Sequence, residues 1–269
     1  MYEKSVFMVH IPTTMIIRMQ RGGKMRVRAK TENITIVLNK PKYPGNVGSI
    51  ARCAGNMGIE KISVVGNRDL AMEEMKQLAT HFAAGSVDRI QHFDRLDEAL
   101  AKFHYIVGAT SRRGSGRGPV VSPREMAERL IDISQYNEIA LLFGPEDTGL
   151  SNDDLQYCHL LVTIPTSKHL KSINLSHAVM ILCYDIFTAH METLEAFTPR
   201  LADSAELEGM YEQMKELLMK IGFLKPENPD YWMMHIRRFL ARTNLFSKEV
   251  KIIRGICRQL DWYGRNKKT

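Results

Sequence analysis

From Ile34 to about His190 the chain alternates between two hydrophobic patterns. Short continuous apolar runs read as buried strands: ITIVL (34–38), KISVVG (61–66), Ile90–Phe93, YIVGAT (105–110), IALLFG (139–144) and LLVTIP (160–165). Between them, apolar residues recur every three or four positions, the helical period. Helices are predicted over Val47–Met57, Met72–Ala84 and Leu96–Lys102, after Pro123, after Ser151, and along INLSHAVMILCYDIFTAH (173–190). Pro123 suits a first helical turn, where its missing N–H costs little. Ser151 with Asp154 three residues on has the spacing of a capping box. Continuous Val/Ile/Leu strands alternating with helices imply a parallel sheet covered on both faces. Residues 33–190 are therefore expected to form one α/β domain, with SRRGSGRGPVVSP (111–123) as a polar, glycine-rich loop.

The two ends read differently. Residues 1–32 are basic and hold no sustained period, and they lack the apolar core and cleavage site of a secretory signal. They are expected to be a disordered basic extension without a fold of its own, and Met25 offers an alternative start ahead of the first strand. Residues 191–205, with Pro199, read as a linker, and residues 206–269 as a small all-helical domain. In that domain Met210, Met214, Leu217 and Leu218 share one face of a helix that stops at Gly222.

Composition narrows the function classes. With 269 residues and 44% hydrophobic content the chain can bury a large core. No apolar run approaches the roughly 18 residues needed to span a bilayer, so a soluble protein is expected. Cys53, Cys158, Cys183 and Cys257 are far apart and form no CxxC pair, which fits free thiols in a reducing cytoplasm. The nine histidines show no ligand spacing, so no metal site is expected. The net charge of +7 gathers in the N-terminal lead, the SRRGSGR loop and the tail, and favours a polyanionic partner.

Several stretches bear on ligand chemistry. GPEDTGLS (144–151) has the glycine spacing of a phosphate-binding loop, but Leu150 replaces the lysine, and Glu146 and Asp147 would repel phosphate. ATP and GTP are excluded there. GSGRG (114–118) does not lead a strand into a helix as a dinucleotide fingerprint must. Its neighbours Arg112, Arg113 and Arg117 suit phosphate contacts instead. FGPEDTGLS has two readings: a strand-to-helix turn capped by Ser151, or a ligand loop in which Gly144 and Gly149 permit close backbone approach. ATS (109–111), FGPE (143–146) and IPTS (164–167) all follow strands, and ligands of open α/β sheets bind beyond the carboxyl ends of strands. In KSINLSHAV (171–179), Ser172, Asn174 and Ser176 exceed what one N-cap needs. In YPGNVGSIARCAGNMGI (43–59), Arg52 sits mid-helix, either in a surface salt bridge or as a phosphate fork and oxyanion stabiliser. Asn46, about 120° away around the helix, belongs to its mouth. Asn56 reads as a structural residue before Gly58.

NVGSIARCAGNMGI (46–59), LLFGPEDTGLSNDDL (141–155) and IPTSKHLKSINLSHAVMILCYDI (164–186) together resemble, in order and spacing, the three motifs of SPOUT-superfamily RNA ribose 2′-O-methyltransferases of the TrmH-like group. The tail, from Lys215 to Leu260, resembles the helical extension of the TrmJ branch, which methylates the ribose of the nucleotide opening the tRNA anticodon loop. The resemblance implies a parallel sheet whose C-terminal part, about 140–190, threads a deep trefoil knot, and a homodimer acting on tRNA without metal or membrane. It implies S-adenosylmethionine held by four loops: Thr110, Ser111 and Arg112; Gly144, Pro145 and Gly149; Ile164, Pro165 and Thr166; Ser172, Ile173 and Leu175. It assigns catalysis to Arg52, approaching the cofactor of the other subunit, with Asn46, Glu146, Ser172 and Asn174. Because a guanidinium stays protonated, Arg52 is expected to lower the pKa of the ribose hydroxyl electrostatically and not to act as a free base. Arg112, Arg113, Arg117, Arg237 and Arg238 are expected on the RNA. The lead before Asn33 and the GPEDTG form of the second motif depart from the pattern, which leaves the substrate contacts open. An rRNA 2′-O-methyltransferase and a catalytically silent RNA-binding protein on the same fold remain the alternatives.

Overall fold

The computed structural model describes residues 27–111, 120–167, 169, 172–191 and 198–266. The strands are β1 (Ile34–Asn39), β2 (Lys61–Val65), β3 (Gln91–Phe93), β4 (Tyr105–Ala109), β5 (Val120–Val121), β6 (Ile139–Phe143) and β7 (Leu160–Val162). They form one sheet in the order β3-β2-β1-β6-β4-β7-β5, and every pairing is parallel. The helices around it are α1 (Pro44–Asn56), α2 (Met72–Asp88), α3 (Leu96–Leu100), α4 (Pro123–Ile133), α5 (Asn152–Leu155) and α6 (Leu175–Thr188).

The apolar runs are continuous because both faces of the sheet are covered, and the two-residue period of a strand divides them between two cores. Ile34, Ile36 and Leu38 of β1, with Ile139, Leu141 and Phe143 of β6, enter the core shared with α1, α2, α4 and α6. Val37, Ala140 and Leu142 face the other way, against Leu100, Phe103 and Leu150. Ser122 and Glu125 close a capping box at α4, and Ser151 and Asp154 close one at α5.

Four local features differ from the expectations. Val120–Val121, expected in a loop, pairs with β7 as an edge strand too short for periodicity to register. Helix α2 runs on to Asp88 and breaks at Thr80, whose φ of 63° and ψ of 166° lie outside helical space. Residues 27–33 are not free: Lys30 N–H donates to Ser134 Oγ (2.9 Å), Asn33 Nδ2 to the Ser134 carbonyl (2.8 Å), and Val27 bridges Met191. The rest of the expected extension, residues 1–26, lies outside the described residues. The linker end is fastened too, since Leu201 N–H donates to Asn137 Oδ1 (2.8 Å) and Ser204 N–H to the Phe103 carbonyl (3.0 Å).

The tail folds as α7 (Ser204–Lys220), α8 (Pro229–Ala241) and α9 (Ser247–Asn266) around its own core of Leu207, Met210, Tyr211, Leu224, Met233 and Val250. Asp203 caps α7 reciprocally with Glu206, and Gly222, with φ of +74°, ends it.

Helices α1 and α2 cross with almost no space at Gly48, where a Cβ would lie 2.0 Å from the Met75 carbonyl oxygen. Backbone cannot yield as a side-chain tip can. Gly48→Ala should therefore lower stability by about 2 kcal/mol, read as a fall of several degrees in Tm by thermal unfolding. An unchanged Tm would mean the crossing is loose.

Candidate functional site

Because every strand runs the same way, the loops after β1, β4, β6 and β7 leave one edge of the sheet. Three of them, with the lead into α6, enclose a cleft of about 270 Å³. Ala109, Thr110 and Ser111 follow β4; Phe143 to Leu150 follow β6; Val162 and Ile164 follow β7; Ser172, Ile173, Leu175 and Ala178 close it from the α6 side. Thr110 N–H donates to the Val162 carbonyl (2.9 Å) and Thr163 Oγ1 to the Thr110 carbonyl (2.7 Å), fixing two of the loops to each other.

The β6 loop folds tightly on itself. A Cβ on Gly144 would sit 2.4 Å from the backbone of Gly149 and Leu150, and Gly149 has a φ of +64°. Gly149 N–H closes the loop on the Pro145 carbonyl at 2.8 Å. Both glycines are thus required by the backbone path, and the loop is at once a turn capped by Ser151 and a wall of the cleft.

Polar groups on three separate segments join beside the cleft. Glu146 Oε2 accepts from Lys42 N–H (2.9 Å), and Oε1 from Asn46 Nδ2 (3.0 Å) and Tyr43 N–H (3.4 Å). Asn46 Oδ1 in turn accepts from Asn174 Nδ2 (3.1 Å). Asn174 Oδ1 caps α6, accepting from Ser176 N–H (2.9 Å), Ser176 Oγ (2.7 Å) and His177 N–H (3.4 Å). Ser176 is therefore spent on the cap, while Ser172 faces the cleft. A second tie, Lys42 Nζ to Asp147 Oδ2 (2.6 Å), holds the β1–α1 loop to the β6 loop. It raises the lysine's pKa and lowers the carboxyl's, chiefly through the hydrogen bond they share.

Of the residues expected around a ligand, Thr110, Ser111, Gly144, Pro145, Glu146, Gly149, Ile164, Ser172, Ile173 and Leu175 border the cleft. Pro165 and Thr166 do not; they are exposed beyond its rim. Arg112, Arg113 and Arg117 lie outside the described residues. Phe143 was expected only as part of FGPE, and the apolar walls Leu150, Val162 and Ala178 went unforeseen. Phe143 and Val162 are the last residues of their strands, which was the signal available for them.

Arg52 is exposed on α1, does not border its own chain's cleft, and has no ion-pair or hydrogen-bond partner among the described residues. The salt-bridge reading is thus not realised within the described chain. Arg237, expected on RNA, is committed elsewhere. It makes a two-pronged pair with Glu208 (2.6 Å twice) and lies 4.5 Å over the Tyr211 ring, with its side chain only 18% exposed. Arg238 has no such carboxylate among the described residues.

The cleft has apolar walls and a rim of hydroxyls and backbone groups, with two carboxylates and no lysine or arginine among its described lining residues. It suits a nucleoside-like ligand without phosphates and tolerates a positive charge. No group of three or more potential metal ligands occurs among the described residues.

Comparison with known proteins gives concordant matches. The SpoU rRNA Methylase family matches residues 33–184, and the C-terminal domain of tRNA methyltransferase TrmJ matches residues 205–269. The tRNA (cytidine/uridine-2′-O-)-methyltransferase TrmJ of Pectobacterium atrosepticum is 34% identical over 84% of this chain and 95% of its own length. That of Klebsiella pneumoniae is 32% identical over 88% and 99%. Among solved structures, TrmJ from Z. mobilis ZM4 superposes with a TM-score of 0.74 at 26% identity, covering 84% of this chain and 98% of that one. A putative methylase family protein from Neisseria gonorrhoeae gives 0.62 at 29% identity, covering 68% and 95%.

The two jobs of Asn174 separate by substitution. Asn174→Ala removes the α6 cap and should cost about 1 kcal/mol in thermal unfolding. Asn174→Asp keeps a cap acceptor and should restore stability to within a few tenths of a kcal/mol, yet an ionised Asp cannot donate to Asn46. Equal losses in both variants would show that the Asn46 contact, not the cap, carries the stabilisation.

Proposed function

The chain belongs to the SpoU rRNA Methylase family and carries the TrmJ C-terminal domain, and from that membership we infer that it is an S-adenosylmethionine-dependent tRNA ribose 2′-O-methyltransferase. The observation that carries the reading is the hydrogen-bonded series Asn174–Asn46–Glu146, which draws the three sequence motifs together beside one cleft. The matched relatives are tRNA enzymes along nearly their whole length, and the tail domain is the one they share, so rRNA is the less favoured substrate. The target is the nucleotide opening the anticodon loop.

S-adenosylmethionine supplies a methyl group already activated on a sulfonium. The cleft fits that donor: its apolar walls suit the adenine, its hydroxyl rim the ribose and amino acid, and Glu146 and Asp147 sit compatibly with a cation. Thr110, Ser111, Gly144, Pro145, Gly149, Ile164, Ser172, Ile173 and Leu175 hold it. The remaining chemical difficulty is the ribose hydroxyl, a weak acid. Arg52 binds the adjacent phosphate with its forked donors and stabilises negative charge growing on the 2′-oxygen. The proton leaves to a phosphate or water, because the guanidinium stays protonated. Asn46 and Asn174 hold the helix mouth in place, and Glu146 orders the loop; both carboxylate oxygens of Glu146 are already engaged by donors from the β1–α1 segment.

We propose a homodimer, and the position of Arg52 supports it. It is absent from its own cleft and exposed on α1, which packs against α6, and α6 exposes Tyr184 and Phe187. Pairing of two copies through this region would bring Arg52 to the partner's cleft. We further propose that about 140–190 threads a trefoil knot, that residues 33–190 and 206–269 are the two domains, and that the protein works in the cytoplasm. The free cysteines Cys53, Cys158, Cys183 and Cys257 support the last.

The test is transfer of labelled methyl from S-adenosylmethionine to unmodified tRNA and rRNA transcripts, with mapping of the product nucleotide. Arg52→Ala should lower the rate about 10²–10³-fold while calorimetry shows cofactor binding unchanged. Label on rRNA alone would overturn the tRNA assignment. Cofactor binding without transfer to either RNA would favour the silent RNA-binding protein.

A further inference from the structure

Helix α8 carries a face that neither the tail core nor the active cleft uses. Tyr231, Trp232, His235, Arg238, Phe239 and Arg242 fall within an arc of about 120° on the helix. Met233, the buried residue of α8, lies on the opposite side. Trp232 is 52% exposed, Phe239 62% and Tyr231 48%, values far from those of aromatic core residues. The rings of Tyr231, Trp232 and His235 meet edge to face, with Tyr231 4.7 Å from His235 and 5.7 Å from Trp232. Arg238 and Arg242 lie on this arc, and no carboxylate partners either guanidinium among the described residues. The arc itself contains no acidic residue.

The face is also held in a fixed orientation. Arg237, on the inner side of α8, grips Glu208 and covers Tyr211 on α7, which pins the helix with its aromatic side outward. Lys215 pairs with Asp230 at the helix start, again off the arc. Charge supports an anionic occupant: from Arg237 to Thr269 ten lysines and arginines stand against two acidic residues.

The geometry points to this face of α8 as a stacking platform for unpaired nucleotides of the RNA substrate, a deepening that rests on the tRNA reading above. Exposed rings interleaved with cations suit single strands, whose bases present π-faces, while Arg238 and Arg242 meet the phosphates. A duplex keeps its bases stacked inside and offers the rings nothing. A purely electrostatic surface would not need Trp232 and Phe239, and a purely apolar contact would not need the arginines.

The chain has two tryptophans, Trp232 and Trp262, so Trp262→Phe leaves Trp232 as the sole reporter. In full-length protein, an unstructured RNA 12-mer should quench its fluorescence, and the same sequence as a duplex should bind at least tenfold more weakly. Phe239→Ala should weaken binding of the single strand about tenfold. Arg242→Ala should lower the slope of log K against log salt by about one. With tRNA, Trp232→Ala should raise KM while cofactor affinity and Tm stay unchanged. The proposal is overturned if Trp232 is not quenched while tRNA is still methylated. It is equally overturned if Trp232→Ala or Phe239→Ala changes the sedimenting mass and leaves RNA affinity intact, since the face would then be a contact between copies. Quenching without methylation of any transcript would support the platform and sink the enzymatic reading instead.

Discussion

One carboxylate holds the site together. Glu146 belongs to the loop after β6, yet everything that it binds, the Lys42 and Tyr43 amides and the Asn46 side chain, belongs to the entrance of α1. Hydrogen bonds to an ionised acceptor are roughly twice as strong as neutral ones, and each donor here would otherwise be an unpaired group at a helix N-terminus. The loop that borders the cleft and the helix that carries Arg52 are therefore one mechanical unit. Asn174 extends that unit to α6 while capping it. Ordering the β6 loop around a ligand thus fixes the start of α1, and a disordered loop would release it.

Backbone proximity is the second requirement, and glycine meets it in both places. Gly144 lets the β6 loop fold onto its own Gly149–Leu150 segment, which forms part of the cleft lining. Gly48 lets α1 press against α2, which fixes the axis on which Arg52 is carried. Neither demand is one of turn conformation, since Gly144 and Gly48 are not among the glycines with positive φ.

Much of this was legible in the sequence, and the limits of legibility are physical. The parallel sheet follows from continuous Val/Ile/Leu runs, and the cap at Ser151 from a three-residue spacing, because both are encoded locally. The convergence of the loops followed from the rule for carboxyl ends of parallel strands. What stayed hidden depends on partners distant along the chain. Nothing around Arg237 reveals that Glu208, on another helix, has claimed it, whereas Arg238 beside it is left over. Asn46 was legible only as a residue of the helix mouth, and its bonds reach 100 and 128 positions away. Pro165 and Thr166 were assigned with their loop, but a loop meets a cleft residue by residue, and of these three only Ile164 lines it. The break at Thr80 has no glycine or proline to announce it.

The charge layout reconciles two substrates of opposite sign. A sulfonium donor is cationic and RNA is a polyanion, so one uniformly basic surface would repel the first while attracting the second. The chain separates them. The described lining of the cleft has carboxylates and no lysine or arginine, and the nearby Lys42 is paired with Asp147. The unpaired cations stand elsewhere, at Arg52 on α1 and along α8 and α9. Arg52 is the exception in the function proposed above, where it would have to reach the place at which donor and ribose meet.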